Sequence, residues 1–229
     1  MKIASYMKER MEEILSPRTV KLIRFDLMRL RTRLSSNGLS TPKNEKLHFG
    51  CGSHHVSDWL NVDVRGSDWD VDLASGKLPW TDDCFDAAVG RHVIEHLELK
   101  RELVPLFEEL CRVIQPRGTV WVSCPDIERI CNSYRRSGLS DLVQDRQKRF
   151  PEFNLDGVPD VHMMNILFHQ NGEHRNLFDF DLLKWALTKA GFEQAERVSE
   201  SDLLQRYPEF SKRDDDYQSL YVRAAVPSV

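Results

Sequence analysis

The sequence predicts an α/β domain with a seven-stranded, mostly parallel sheet whose last strand is antiparallel, preceded by a helical amino-terminal appendage. Two patterns carry this expectation. Short apolar runs alternate with stretches of helical period along most of the chain. A tight glycine turn, Gly50-Cys51-Gly52, also follows the first of those runs and leads to a second run ending on an acid, Asp63. The stretch from Lys46 to Val64 is therefore strand, turn, strand.

That turn suits a nucleoside at the carboxyl edge of a parallel sheet, because glycines let a ligand lie against backbone N–H groups. A carboxylate at the end of the next strand can accept hydrogen bonds from both hydroxyls of a ribose. The spacing excludes the phosphate-cradling alternatives. A dinucleotide fingerprint needs a third small residue where this chain has His55, and no P-loop pattern occurs. A ligand with a ribose and no phosphate remains.

The chain has 229 residues, 41% of them hydrophobic, enough for one well-filled core. Five cysteines, none in C-x-x-C spacing, argue against a disulfide framework and against a cysteine-only zinc site. With no long apolar run and no export signal, a cytoplasmic location is expected. Residues 1–46 carry a balance of +6 and leave −10 for the rest, so nucleic acid is disfavoured as a partner.

The elements follow in order. Residues 1–43 form a basic, helical appendage and linker. Its helix spans 17–34, with Pro17 as start, Asn37-Gly38 as stop, and Val20, Ile23, Leu27, Leu30 and Leu34 on one face. This helix is expected to pack on the domain, to self-associate, or to lie on an anionic membrane surface. Residues 44–229 form the main domain. After the strand–turn–strand come Trp69 to Leu73, a short strand carrying Asp72, and Phe85 to Val89, a buried strand closed by Gly90. Lys100 to Ile114 has helical period, and Gln115-Pro116-Arg117-Gly118 ends it ahead of a strand at Thr119 to Ser123. Residues 127–171 are an insertion with two helices, placed to cover the site and contact substrate. Phe180-Asp181 caps a helix whose buried face is Leu182, Leu183, Trp185 and Ala186, with Gly191 as its stop. Two final strands, 193–198 and 217–225, flank a polar stretch in which Lys212 to Asp216 reads as a solvated loop.

His92, Glu95 and His96 match H-x-x-E-H, the inverted zinc-protease pattern, which would place two imidazoles on one helical face. A zinc-dependent hydrolase is therefore a rival reading. It needs a third ligand, for which Glu173 or His174 can be nominated.

Four stretches together resemble a known family. KLHFGCGSHHVSDWLNVDV, DVDLASGKLPWTDDCFDAAVGRHVIEHL, EELCRVIQPRGTVWVSCPD and GEHRNLFDFDLLKWALTKAGF are similar, in the same order, to motifs of the class I S-adenosylmethionine-dependent methyltransferases, in their type 11-like branch. The chain departs from that pattern at Pro116-Arg117-Gly118, where Pro-Gly-Gly is usual. The resemblance implies the Rossmann-like sheet with helices on both faces, no resident metal, and S-adenosyl-L-methionine as cofactor. It places Gly50, Cys51 and Gly52 behind the methionine end, Asp63 on the ribose, Asp72 and Leu73 at adenine, and His92 bordering the transferred methyl. His96 lies one turn on, and His174 faces the substrate, where a neutral imidazole suits a general base. The acceptor is expected to be a small molecule, a saccharide or a lipid. A non-catalytic binding protein keeping the same fold is the other alternative.

Overall fold

The computed structural model describes residues 14–35 and 40–228. Its strands are β1 (Lys46–Phe49), β2 (Leu60–Asp63), β3 (Trp69–Asp70), β4 (Phe85–Arg91), β5 (Ile114–Pro125), β6 (Glu193–Val198) and β7 (Ser219–Ala225). They form one seven-stranded sheet in the order β3-β2-β1-β4-β5-β7-β6. The pairings from β3 to β5 are parallel, and β7 runs antiparallel to both its neighbours. The expected sheet is thus the observed one. Because β1 is central and the chain leaves it for β2 on one side and β4 on the other, a crevice opens at the carboxyl ends of β1 and β4.

Alternation along the central strands builds two cores. Ala88 of β4 and Val120 and Val122 of β5 face one layer, with Leu106, Phe107, Leu110, Leu183 and Leu187. Ala87, Val89 and Trp121 face the other, against Trp59, Leu203, Tyr207 and Phe210. The helices covering these faces are α2 (Val104–Val113), α6 (Phe180–Lys189) and α7 (Glu200–Arg206). A third, smaller core lies in the insertion, where α3 (Ile127–Ser137), α4 (Ser140–Arg149) and α5 (His162–His169) bury Ile130, Leu142, Met163 and Leu167. The insertion therefore holds three helices, not two.

Several local expectations are corrected. Asp72 ends no strand; its side chain caps a short 3-10 turn at Leu73–Ser75. The cap of α6 is Asp179, whose carboxylate accepts from the Leu182 N–H, and its buried face is Leu183, Ala186 and Leu187, leaving Trp185 exposed. Lys212 to Asp216 is no solvated loop, since Asp215 is buried. No helical face carries His92: it follows β4 directly, with a left-handed φ of 55°.

The amino-terminal helix α1 (Pro17–Ser35) packs on the domain, with Val20 of its apolar stripe buried and Ile23 half-buried, but not by the rest of that stripe. Leu27, Leu30 and Leu34 are exposed, whereas Arg29 and Arg33 reach down to the carboxylate of Asp72 and the Thr32 hydroxyl donates to the Val64 carbonyl. A buried carboxylate outweighs the leucines because leaving it unpaired costs more than leaving aliphatic surface in water. The expected stop at Asn37-Gly38 lies outside the described residues. Among the described residues, no helix is long and apolar enough to cross a membrane.

The two glycines of the turn separate fold from ligand. Gly50 and Gly52 have φ of +65° and +55°, but a Cβ on Gly50 would run into the Val93 side chain, while one on Gly52 would meet nothing within 4 Å. Gly50→Ala is expected to lose about 2–4 kcal/mol of stability, from backbone strain plus overpacking, and Gly52→Ala only about 1 kcal/mol. Denaturant unfolding of the two variants checks this; equal losses would remove Val93 as the reason for Gly50.

Candidate active site

The Gly50-Cys51-Gly52 turn opens into a cavity of about 970 Å³ between the sheet edge and the insertion. The turn is tied to the acid beyond it. Asp63 accepts from the Gly52 N–H at 2.8 Å and from the Val64 N–H at 2.6 Å, and does not itself line the cavity. Asn61, which the sequence reading passed over, shapes the segment between: its amide oxygen accepts from the Val56 N–H, and its NH₂ group donates to the Val56 and Trp59 carbonyls. The same oxygen accepts from His48 Nδ1 at 3.1 Å. Burial lowers the pKa of His48 to about 4, so it is neutral. Burial likewise pushes the Cys51 thiol up to about 12, which makes it wall and not nucleophile.

Of the expected cofactor residues, Gly50, Cys51, Gly52 and His92 line this cavity. Asp72 does not. It borders a separate cavity of about 430 Å³ beside Thr32, Arg33 and Leu78, and both its oxygens are engaged, Oδ1 with Arg29 and Ala74 N–H, Oδ2 with Arg29 and Arg33. The adenine contact expected of Asp72 is corrected on that ground: its carboxylate holds α1 to the domain. Leu73 is buried behind it.

His92 is also placed differently from expectation. Its Nε2 lies 2.8 Å from Asp215 Oδ2 and its Nδ1 3.2 Å from Glu95 Oε1, with Ser219 Oγ at 3.1 Å from Nε2. Burial works against a charge here, but the hydrogen bonds to Asp215 and Glu95 outweigh it and raise the pKa of His92. The two carboxylates are held low in turn by that imidazolium, against their own burial. With both nitrogens used, His92 can neither ligate a metal nor take a proton. Asp215 also accepts from the Tyr221 hydroxyl and from Arg213.

His96 and His174 come together at the cavity's inner end, ring centroids 4.8 Å apart and edge to face. The tautomers follow from their partners. His174 Nδ1 lies 2.7 Å from the Leu167 carbonyl and His96 Nδ1 3.3 Å from the Glu173 carbonyl, so each Nδ1 carries the hydrogen and each Nε2 a lone pair. Burial lowers the pKa of His174 and keeps it neutral. Its Nε2 is buried without a partner, 4.0 Å from Glu95 Oε1, and Glu95 Oε2 is likewise unpartnered. The group of metal-ligand type is therefore Glu95, His96 and His174, with candidate ligand atoms within 4.8 Å of one another. The H-x-x-E-H pattern as read from the sequence is not formed.

A family model described as methyltransferase domain matches residues 64–122, from the end of β2 into β5. The match takes in β4 and most of β5, together with the Glu95-His96 turn. Over that stretch the chain is similar to a methyltransferase domain. Among solved structures, the chain is similar to an S-adenosylmethionine-dependent methyltransferase from Mesorhizobium loti at 18% identity. That overlap covers 86% of this chain and 96% of the other, with a TM-score of 0.45. It is also similar to an S-adenosylmethionine-dependent methyltransferase from Thermotoga maritima at 15% identity, over 87% and 88% of the two chains, with a TM-score of 0.44. No curated protein matches the chain.

Two buried histidines, His92 and His48, lead to predictions. Asp215→Asn removes one partner of a buried ion pair, so stability falls by about 3–5 kcal/mol in denaturant unfolding, and the His92 imidazole, followed by NMR, titrates lower than in wild type. A stable variant with an unmoved His92 would dismiss the pairing. For His48, the unfolded pKa is 6.5 and the folded one about 4. Between those values the unfolded chain binds the proton and the native one does not. The contribution is therefore complete above pH ~6.5 and is lost as pH falls toward 4, by about 3 kcal/mol. Stability measured against pH for wild type and His48→Gln should show that difference closing on the acid side.

Proposed function

We propose that this protein transfers the methyl group of S-adenosylmethionine to a small polar acceptor held between the sheet edge and the insertion, with His174 as general base. One observation supports this reading above the rest: the left-handed glycine turn, braced by Asp63, opens into the same cavity as a neutral histidine with a free, buried lone pair. Gly50, Cys51 and Gly52 then back the methionine end and Asp63 binds the ribose. The open space beside Gly52 fits such a ligand, since nothing else lies within 4 Å of that position. His92 is a positioning residue that fixes Glu95.

The bound cofactor supplies a methyl carbon already activated by its sulfonium. The chain's own task is to align the acceptor, exclude water and receive its proton. His174 Nε2 is suited to that task because Nδ1 is committed to the Leu167 carbonyl and cannot compete. Glu95 then stabilises the imidazolium that forms, and His96 packs against the ring.

Calorimetry with S-adenosylhomocysteine tests the donor site, and absence of binding to the pure protein would end this reading. A turnover screen detecting S-adenosylhomocysteine against pooled acceptors identifies the acceptor. His174→Ala is expected to lower turnover roughly a hundredfold while leaving cofactor affinity nearly unchanged. A second reading draws on the proximity of Glu95, His96 and His174, whose two tautomers suit metal ligation as well as base catalysis. One equivalent of zinc in the purified protein, lost in His96→Ala, would replace the base with a metal centre.

A further inference from the structure

The cavity's charge is one-sided. Five guanidinium groups line it, those of Arg18, Arg91, Arg146, Arg149 and Arg213, against one carboxylate, Asp215, which is already paired with His92. Three of the five are compensated within the chain. Arg149 pairs with Asp145, Arg213 with Asp215, and Arg91 donates to the Ser211 carbonyl with Glu200 nearby. Arg146 is different. Among the described residues no carboxylate pairs with it, and its Nε is buried without a hydrogen-bond partner.

The structure nonetheless holds Arg146 in place. Its guanidinium stacks over Phe153 at 5.1 Å and Phe150 at 5.8 Å from the ring centroids, which fixes the plane and leaves the N–H edge to the cavity. Arg149 lies one turn along the same helix, so two guanidinium groups of α4 border the same space. Burial and the neighbouring Arg149 both lower the pKa of Arg146, a sign that its charge lacks compensation in the empty cavity. Apolar side chains in the lining are few, Phe150, Ile166 and Leu167 among them, and His162, Asn165 and His169 add polar groups from α5. Such a wall suits a polar, water-soluble ligand better than an acyl chain.

We propose that the methyl acceptor carries an oxyanion, a phosphate or a carboxylate, and that Arg146 on α4 is the residue that receives it, with Arg149 beside it. This rests on the methyltransferase reading and names the acceptor class of that same site. An oxyanion supplies what the cavity lacks: acceptor lone pairs in a plane that a guanidinium fork can meet with two parallel hydrogen bonds. The insertion thereby selects the acceptor by charge, while the glycine turn and Asp63 serve the donor. The donor also has a carboxylate, at its methionine end, and the experiment separates the two.

Wild type, Arg146→Gln and Arg146→Lys are compared by calorimetry in three titrations: S-adenosylhomocysteine alone, then inorganic phosphate and succinate with S-adenosylhomocysteine present. The expected result is saturable binding of one of the two anions by wild type, weakened at least tenfold in Arg146→Gln and less in Arg146→Lys. Cofactor affinity stays within about twofold across all three proteins. Phosphate binding alone marks a phosphoryl acceptor, and succinate binding alone a carboxylate. Equal anion binding by wild type and Arg146→Gln overturns the proposal, as does an unchanged melting temperature accompanied by a tenfold loss of S-adenosylhomocysteine affinity, which would give Arg146 to the donor. Failure of S-adenosylhomocysteine to bind wild type at all would instead fell the methyltransferase reading, whatever the anions do. In turnover, phosphorylated or carboxylated compounds are consumed in preference to their neutral parents; the reverse preference also overturns it.

Discussion

A buried imidazolium held between two carboxylates governs the geometry of the sheet edge at the end of β4. His92 follows β4 directly in a left-handed conformation, a position few non-glycine residues occupy, and its ring spans Glu95 on one side and Asp215 on the other. Any one of these charges alone in the interior would be strongly unfavourable; together, with Tyr221 and Arg213 satisfying the remaining Asp215 lone pairs, they are stable. The clamp joins the end of β4 to the segment before β7, the two places where the sheet meets the crevice. It also aims Glu95, and Glu95 in turn faces His174. Loosening the clamp therefore disturbs the far end of the cavity, although no residue of the clamp needs to touch the acceptor.

The sheet was legible because its signals are local. Strand alternation, the glycine turn and the acid at Asp63 each lie within a few residues of what they specify, and the order of strands follows from the short connections between them. The clamp was not legible, because its partners are 123 residues apart and Asp215 sits in a run, Lys212 to Asp216, whose composition is that of solvent-exposed chain. Asp72 misled for a similar reason. Its position suits a ligand contact, but two arginines from α1, about forty residues earlier, had already claimed both its oxygens. His174 was nominated by resemblance and Asn61 not at all, although an asparagine inside a buried strand is a polar group that must find partners and could have been flagged on that ground.

The amino-terminal helix shows the same competition between local pattern and distant charge. Its apolar stripe of Leu27, Leu30 and Leu34 is the face a periodicity argument buries, yet the helix turns that face outward. Arg29 has Asp72 and Glu102 below it, and Lys21 has Glu173, so acidic groups lie under the helix along much of its length. Three or four charge-assisted contacts to partly buried carboxylates outcompete the burial of three half-exposed leucines, each worth no more than about 2 kcal/mol. The appendage is thereby fastened across the mouth of the crevice by polar contacts.

The insertion does more than cover the crevice. It has its own core, in which Leu167 is packed with Ile130, Leu142 and Met163, and that packing sets where the Leu167 carbonyl points. The carbonyl accepts from His174 Nδ1, so the insertion decides which nitrogen of His174 keeps the lone pair. The same small core carries α4, and with it Arg146 at the cavity wall. The proposed acceptor wall and the proposed proton-accepting nitrogen are therefore held by one packed unit, separate from the strands that hold the glycine turn and Asp63. On the proposed reading, substitutions within this unit change the acceptor wall without altering the donor side, provided the Leu167 carbonyl stays in place; if it moves, His174 loses the partner that sets its tautomer.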